Sequence, residues 1–294
     1  MEESTKRGIQ YMLFASLLFA IMGAFAKELS SNMSSVEVVF FRNVFGVFII
    51  MYSIYKKPLS QKGGKPFLLL FRGTVGFLAL LMFFYNISQI SLAEAMTFSK
   101  TSTIFSAIFA YFFVQEKLGG RGWLGIFIGF IGIMLITGFD GSQLDKTDWL
   151  GILTGVGAGL AYTSIRELRK YYDSRAIVLS FMSIGTIGPL LLMALSPYYS
   201  GETFDFVIAP FVMPKQDEWI IILLLGIVAT FAQIYMTKAY SCAKTGIIGT
   251  ISYSNIVFSI ILGILLGDSF PHIWIILGII LIVISGLLVS SRKE

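Results

Sequence analysis

The chain has 294 residues, a mean hydropathy of +0.81, 13% charged residues and a net charge of +5. So little charge excludes an ordinary soluble domain, which carries about twice as much. One Cys (Cys242) and one His (His272) exclude a disulfide framework and argue against a dedicated metal site.

In chain order, apolar stretches predict helices over 8–26, 36–55, 67–87, 93–114, 122–137, 149–168, 176–195, 219–240, 246–266 and 272–290. They are long enough to cross a hydrocarbon core about 30 Å thick, where a helix satisfies its own backbone. Lys6 and Arg7 before the first stretch resemble a signal peptide, but the spans that follow make it the first helix. The longest connection, 196–217, holds Pro197, Pro210 and Pro214 and is predicted as an external loop.

Charge orients the spans. Of the 22 Lys and Arg, 15 would share one side, including Lys56, Lys57, Lys65, Arg169, Lys170 and Arg175; only Lys27, Lys146 and Lys215 fall opposite. Cytoplasmic loops collect positive charge, so both termini are expected in the cytoplasm. The other four, Arg42, Arg72, Lys100 and Lys238, lie within spans, where a charge is costly and usually functional.

The chain also repeats. A shift of 152 residues lays Thr103-Ile104 on Asn255-Ile256 and Glu116 on Asp268, with a Gly-rich helix after each; Gly8 falls on Gly151 by a different shift. The expected fold is an all-α integral membrane protein of ten transmembrane helices. They form two inverted five-helix repeats, 1–140 and 141–294, within one membrane domain. Inverted repeats are the architecture of alternating-access carriers that bind solute near the midplane.

These features resemble the drug/metabolite transporter superfamily in its EamA-type, ten-helix branch. The resemblance rests on FFRNVFG in helix 2, FYNISQISLAEAMTF leading into helix 4, QEKL before helix 5 and LLGD before helix 10. RGTVGFLALLMFFYNISQISLAEA is most similar to a subgroup that includes S-adenosylmethionine and riboflavin carriers. Where many relatives have Pro in helices 4 and 9, this chain has Thr103 and Asn255, so no proline kink carries over. The resemblance implies a cavity lined by helices 2, 3, 4, 7, 8 and 9.

Lys100 is the leading candidate for substrate binding, in a segment (TFSKTSTIFS) with a hydroxyl at nearly every position and Thr103 on the same side. Ser252 and Asn255 stand at the matching places in helix 9, beside Tyr253. A cation facing neutral polar groups suits an anionic or zwitterionic solute. Arg42 either shapes the outer entrance or fixes packing, with Glu37 as its partner. Gln233, one turn from Thr237, would donate hydrogen bonds, and Tyr85 and Tyr162 would stack on a ring. Glu94 is the one acid offered for proton coupling. Arg72 and Lys238 are expected to snorkel. Rows such as Gly151/Gly155/Gly159 and Gly125/Gly129 are read as close helix packing.

No GxxxxGK[ST], HExxH or GxSxG run occurs, so the chain is expected to be neither an ATPase nor another enzyme, and to need no cofactor. The reading is a transporter of a small polar metabolite in the bacterial inner membrane; a lipid or lipid-linked flippase is the alternative. Its partners are the solute and the bilayer, with no nucleic acid, and a homodimer is allowed.

Overall fold

In the computed structural model, the described residues are 2–59, 63–114, 119–137, 144–199, 201, 204–242 and 251–290. Among them the chain is helical, with no strand. The helices are α1 (Glu2–Leu29), α2 (Ser35–Lys56), α3 (Pro66–Gln89), α4 (Leu92–Lys100), α5 (Ser102–Val114) and α6 (Gly120–Ile136). They continue as α7 (Lys146–Leu168), α8 (Ser174–Leu195), α9 (Glu218–Cys242), α10 (Ser254–Leu265) and α11 (Ile273–Ser290). Glu116, Lys117 and Lys244, and the side chains of Thr237 and Tyr240, lie outside the described residues.

Five described segments are long and apolar enough to cross a membrane: Glu3–Leu29, Ser35–Lys56, Pro66–Gln89, Ser174–Tyr198 and Glu218–Met236. Gly120–Ile136, Ser254–Leu265 and Ile273–Val289 are apolar but shorter. Outward-facing Phe48, Phe113 and Ile220 are each about two-thirds or more exposed. A surface this apolar needs lipid rather than water around it. The protein is a multi-pass membrane protein.

Helix starts follow local chemistry. Ser34 and Ser91 each cap a helix with the acid three residues on, Glu37 for α2 and Glu94 for α4, in reciprocal capping boxes. Pro66 opens α3, where its missing N–H costs nothing.

Packing partners come in matched sets. α1 lies on α9 and α10, while α3 and α5 lie on α7; α2 crosses α8, and α6 crosses α11. We call the end of the bundle where α1 starts proximal and the end where it stops distal. The largest buried apolar cluster seals the distal half, drawing Met22, Val36, Val39, Phe84, Leu92, Met96 and Leu225 from five helices.

Two interruptions break the helical runs. The fourth span is broken at Thr101, between α4 and α5, and a turn at Tyr253 precedes α10. Neither break has a proline. At the first, Thr97 and Thr101 turn their hydroxyls back onto the carbonyls of Ala93 (2.7 Å) and Phe98 (2.6 Å). At the second, Ser254 donates to Ile251 O at 2.7 Å. Hydroxyl back-bonding competes with the helical ladder and bends it, so threonine and serine do here what proline would otherwise do.

The proximal corner is clamped by Arg175, which donates to the carbonyls of Ser53 (3.1 Å) and Lys57 (2.7 Å) and so ties the start of α8 to the end of α2. Hydrogen bonds from Arg175 hold the Asp173 carboxyl below its ordinary value of 3.8. A depressed folded value stabilises above the unfolded pKa and is lost as pH falls through the folded one. Asp173→Asn should therefore melt below wild type at neutral pH, where the carboxylate contributes in full, with the difference shrinking as pH falls below about 4. Thermal unfolding in detergent across pH checks this.

Candidate functional site

Lys100 ends α4, at the lip of the break. It is partly buried and, among the described residues, makes no hydrogen bond or ion pair. An ammonium inside a helical bundle with no acceptor is costly, and a bound anionic group is the direct remedy. Thr103, three residues on, is partly buried and faces the hydroxyl of Tyr253 without hydrogen-bond geometry. That hydroxyl is packed so tightly against Gly286 that a Cβ there would lie 1.8 Å from it.

Asn255 is buried, and its amide donates to Ser16 O at 2.9 Å, joining α10 to α1; its Oδ1 has no partner. The first helix, which offers little polar chemistry in sequence, thus receives a long-range bond from this residue. Gln233 is partly buried and engaged.

Arg42 does not pair with Glu37. Its Nη1 donates to Asn43 Oδ1 at 2.9 Å, and Asn43 in turn donates to Gly185 O on α8 at 3.3 Å. Glu37 is committed elsewhere: Oε2 accepts from the Ser34 backbone and hydroxyl, and Oε1 from Val212 N at 2.8 Å. The cap and the loop took the acid, because both lie closer to the helix start than the guanidinium does.

Arg72 does not snorkel. It is 5% exposed and lies 4.5 Å from the centroid of Phe181. Lys238 is exposed, with its ammonium over Tyr235. Tyr162 is 46% exposed and lies within electrostatic range of the two buried arginines.

Tyr85 belongs to a distal cluster. Its hydroxyl donates to Asp205 Oδ2 at 3.1 Å, Lys146 pairs with Asp205, and that ammonium lies 4.9 Å from the Tyr85 ring centroid. Loop residues 204–206 therefore fold back over the distal ends of α3 and α7. Glu94 Oε2 accepts from the Ser91 backbone and hydroxyl (3.1 and 2.8 Å), so its carboxylate serves the cap of α4.

A second distal latch was not legible in the sequence. Lys27 pairs with Asp268 and also donates to Ile90 O at 3.1 Å; Asp268 Oδ2 accepts from Leu92 N at 2.8 Å. Gly267, at φ +96°, makes the sharp turn that delivers Asp268. Asp268→Asn should loosen this closure. In a Cys242→Ala background carrying Ala93→Cys, labelling by a membrane-impermeant maleimide should speed up several-fold. An unchanged rate would show that the latch does not hold the distal end.

The sequence and fold agree with what the chain is similar to. The EamA-like transporter family matches residues 6–138 and again residues 145–291. An uncharacterized transporter of Helicobacter pylori is 35% identical, covering 96% of this chain and 94% of that protein. The pseudopaline exporter CntI of Pseudomonas aeruginosa is 29% identical over 98% of each chain. A crystal structure at 18% identity superposes with a TM-score of 0.62 over 98% of this chain and 96% of that one, which speaks to the fold. Twin matches spanning nearly the whole sequence, on a bundle of apolar helices with no enzyme motif, make this chain a transporter of the EamA-like family within the drug/metabolite transporter superfamily.

Proposed function

We propose that the protein is a secondary carrier moving a small polar, anionic or zwitterionic metabolite across the bacterial cytoplasmic membrane by alternating access. The observation that carries this is Lys100: an ammonium with no hydrogen bond or ion pair among the described residues, at the break of a discontinuous helix. Broken helices commonly build carrier binding sites near the midplane. Thr103, Tyr162, Gln233, Tyr253 and Asn255 would complete the cavity, with Arg42 on its wall.

The halves, 1–140 and 141–294, are read as inverted repeats with both termini cytoplasmic, making the proximal end the inner one. Support comes from three sides. The family matches twice, over 6–138 and 145–291. Packing partners pair up: α1 with α9 answers α7 with α3. The breaks at Thr101 and Tyr253 stand 152 residues apart, the same shift that aligns the sequences. The sealed distal half and its latches suit an inward-facing state. The named activity of the pseudopaline exporter is in keeping with a small-metabolite carrier.

A thermal-stability panel tests the reading, using amino acids, S-adenosylmethionine, riboflavin, nucleosides, quaternary amines and lipid-linked phosphates on detergent-purified protein. A ligand that binds only the folded state stabilises it, by about 2.7 kcal/mol at a hundred times its Kd. A shift with one soluble class, lost in Lys100→Ala, is the expected result. Shifts confined to lipid-linked phosphates would favour a flippase instead.

A further inference from the structure

Arg42 and Arg72 are 4% and 5% exposed, and their guanidinium carbons lie 5.7 and 4.5 Å from the centroid of one ring, Phe181 on α8. They arrive from opposite ends. Arg42 lies near the distal start of α2 and Arg72 near the proximal start of α3, each about 10 Å into its helix at 1.5 Å per residue. Arg42 makes one hydrogen bond, to Asn43 Oδ1. Arg42 Nε and Arg72 Nε and Nη1 are buried and have no hydrogen-bond partner among the described residues. No described carboxylate pairs with either guanidinium, and the charged or titratable groups that influence them are each other and Tyr162.

Two like charges in a low-dielectric interior repel, and each carries a desolvation cost. One shared aromatic face does not offset that, since a cation–π contact is weak beside the desolvation of a buried ion. The acids at the distal helix ends do not help. Glu37 and Glu94 serve helix caps, and Asp268 is held by Lys27. With Lys100, the interior therefore presents three cations with no carboxylate partner among the described residues. Planar guanidiniums with free N–H groups are the side chains that best clasp carboxylate and phosphate oxygens. Tyr162, about half exposed, lies within electrostatic range of both arginines.

We infer that Arg42 and Arg72 form an anion subsite distinct from Lys100, with Phe181 as the wedge that spaces the two guanidiniums. The carried solute then bears at least two anionic groups, carboxylate or phosphate: one for the arginine pair, one for Lys100. This rests on the carrier reading above and narrows its solute class.

The test uses the full chain purified in detergent, with citrate and pyrophosphate as polyanions and acetate and glycine betaine as singly charged or zwitterionic probes. Melting temperature and calorimetric affinity are read on the wild type, Arg72→Gln and Arg72→Lys. A polyanion is expected to raise the melting temperature where the other probes do not. Its affinity should fall tenfold or more in Arg72→Gln and partly recover in Arg72→Lys, by the usual weight of a charge-assisted contact.

Ligand-free Arg72→Gln should melt no lower than wild type, because an uncompensated buried charge has gone. A structural strap between α3 and α8 predicts the reverse, a lower melting temperature with binding unchanged, and that result overturns the inference. So does the absence of any polyanion response. If betaine alone binds, sensitive to Lys100→Ala, the carrier reading stands and the polyanion class falls. A response confined to citrate or to pyrophosphate supports the subsite and says which oxyanion it takes. Should Arg72→Gln fail to fold, Phe181→Leu, which removes the wedge, carries the same binding comparison.

Discussion

Lys100→Ala abolishes transport while leaving the protein folded and inserted: that is the largest functional effect expected from a single substitution. Its ammonium has no hydrogen bond or ion pair among the described residues, so removing it breaks nothing that holds α4 in place. The cap of α4 rests on Ser91 and Glu94, and the break rests on Thr97 and Thr101; none of them needs the lysine. Loss of a charged hydrogen-bonding group typically costs about 1.5–3 kcal/mol in the bound state, or roughly ten- to a hundredfold in affinity. Lys100→Arg should retain part of the activity, since it keeps charge but changes reach and shape. The measurement is uptake or counterflow in proteoliposomes of whichever solute the stability panel identifies, beside the melting temperature of each variant. Normal transport by Lys100→Ala would remove the site at the α4 break from consideration. A protein that unfolds on this substitution would show instead that the lysine is a packing cation.

Gly278→Val is expected to do the greatest structural damage. At the crossing of α6 and α11 the two backbones touch: a Cβ on Gly278 would lie 2.8 Å from the Gly132 carbonyl and 3.2 Å from Ile136 N. The contact is reciprocal, with a Cβ on Gly132 falling 3.0 Å from the Gly278 carbonyl. Backbone cannot swing aside as a flexible side chain can, so the helices must separate along the seam. Overpacking of this kind costs about 1–3 kcal/mol, and close helix approach is the main source of association once lipid has removed the hydrophobic driving force. Thermal unfolding in detergent should show a fall of several degrees or a loss of monodisperse protein. Gly120→Ala is the control, because nothing lies within 4 Å of its Cβ position. Equal effects of both substitutions would mean that the crossing tolerates a wider gap than its contacts imply.

The wholly helical membrane architecture and the candidate cation Lys100 could both be read before any fold was known. The length of each apolar run and the cost of a charge within it belong to the segment itself. Proline was a poor guide to the breaks. The hydroxyls of Thr97, Thr101 and Ser254 interrupt the ladder at points 152 residues apart, and hydroxyl-rich helices are too common for that to be foreseen. Pairings were less legible still. Glu37 lies one turn from Arg42 in sequence but bonds Ser34 and Val212. Lys27 meets Asp268 across 241 residues, and Tyr85 meets Asp205 across 120.

By itself, then, the sequence determined that this is a multi-pass helical transporter, because apolar length, charge and repeat are local or periodic properties. The tertiary structure alone decided which buried polar atoms found partners. It left Arg42 and Arg72 facing one ring with no described acid paired to either, and it turned Glu94 to a cap and Tyr85 to the distal loop. Those outcomes depend on which helices become neighbours, a long-range competition among donors and acceptors in a medium where water cannot fill the gaps.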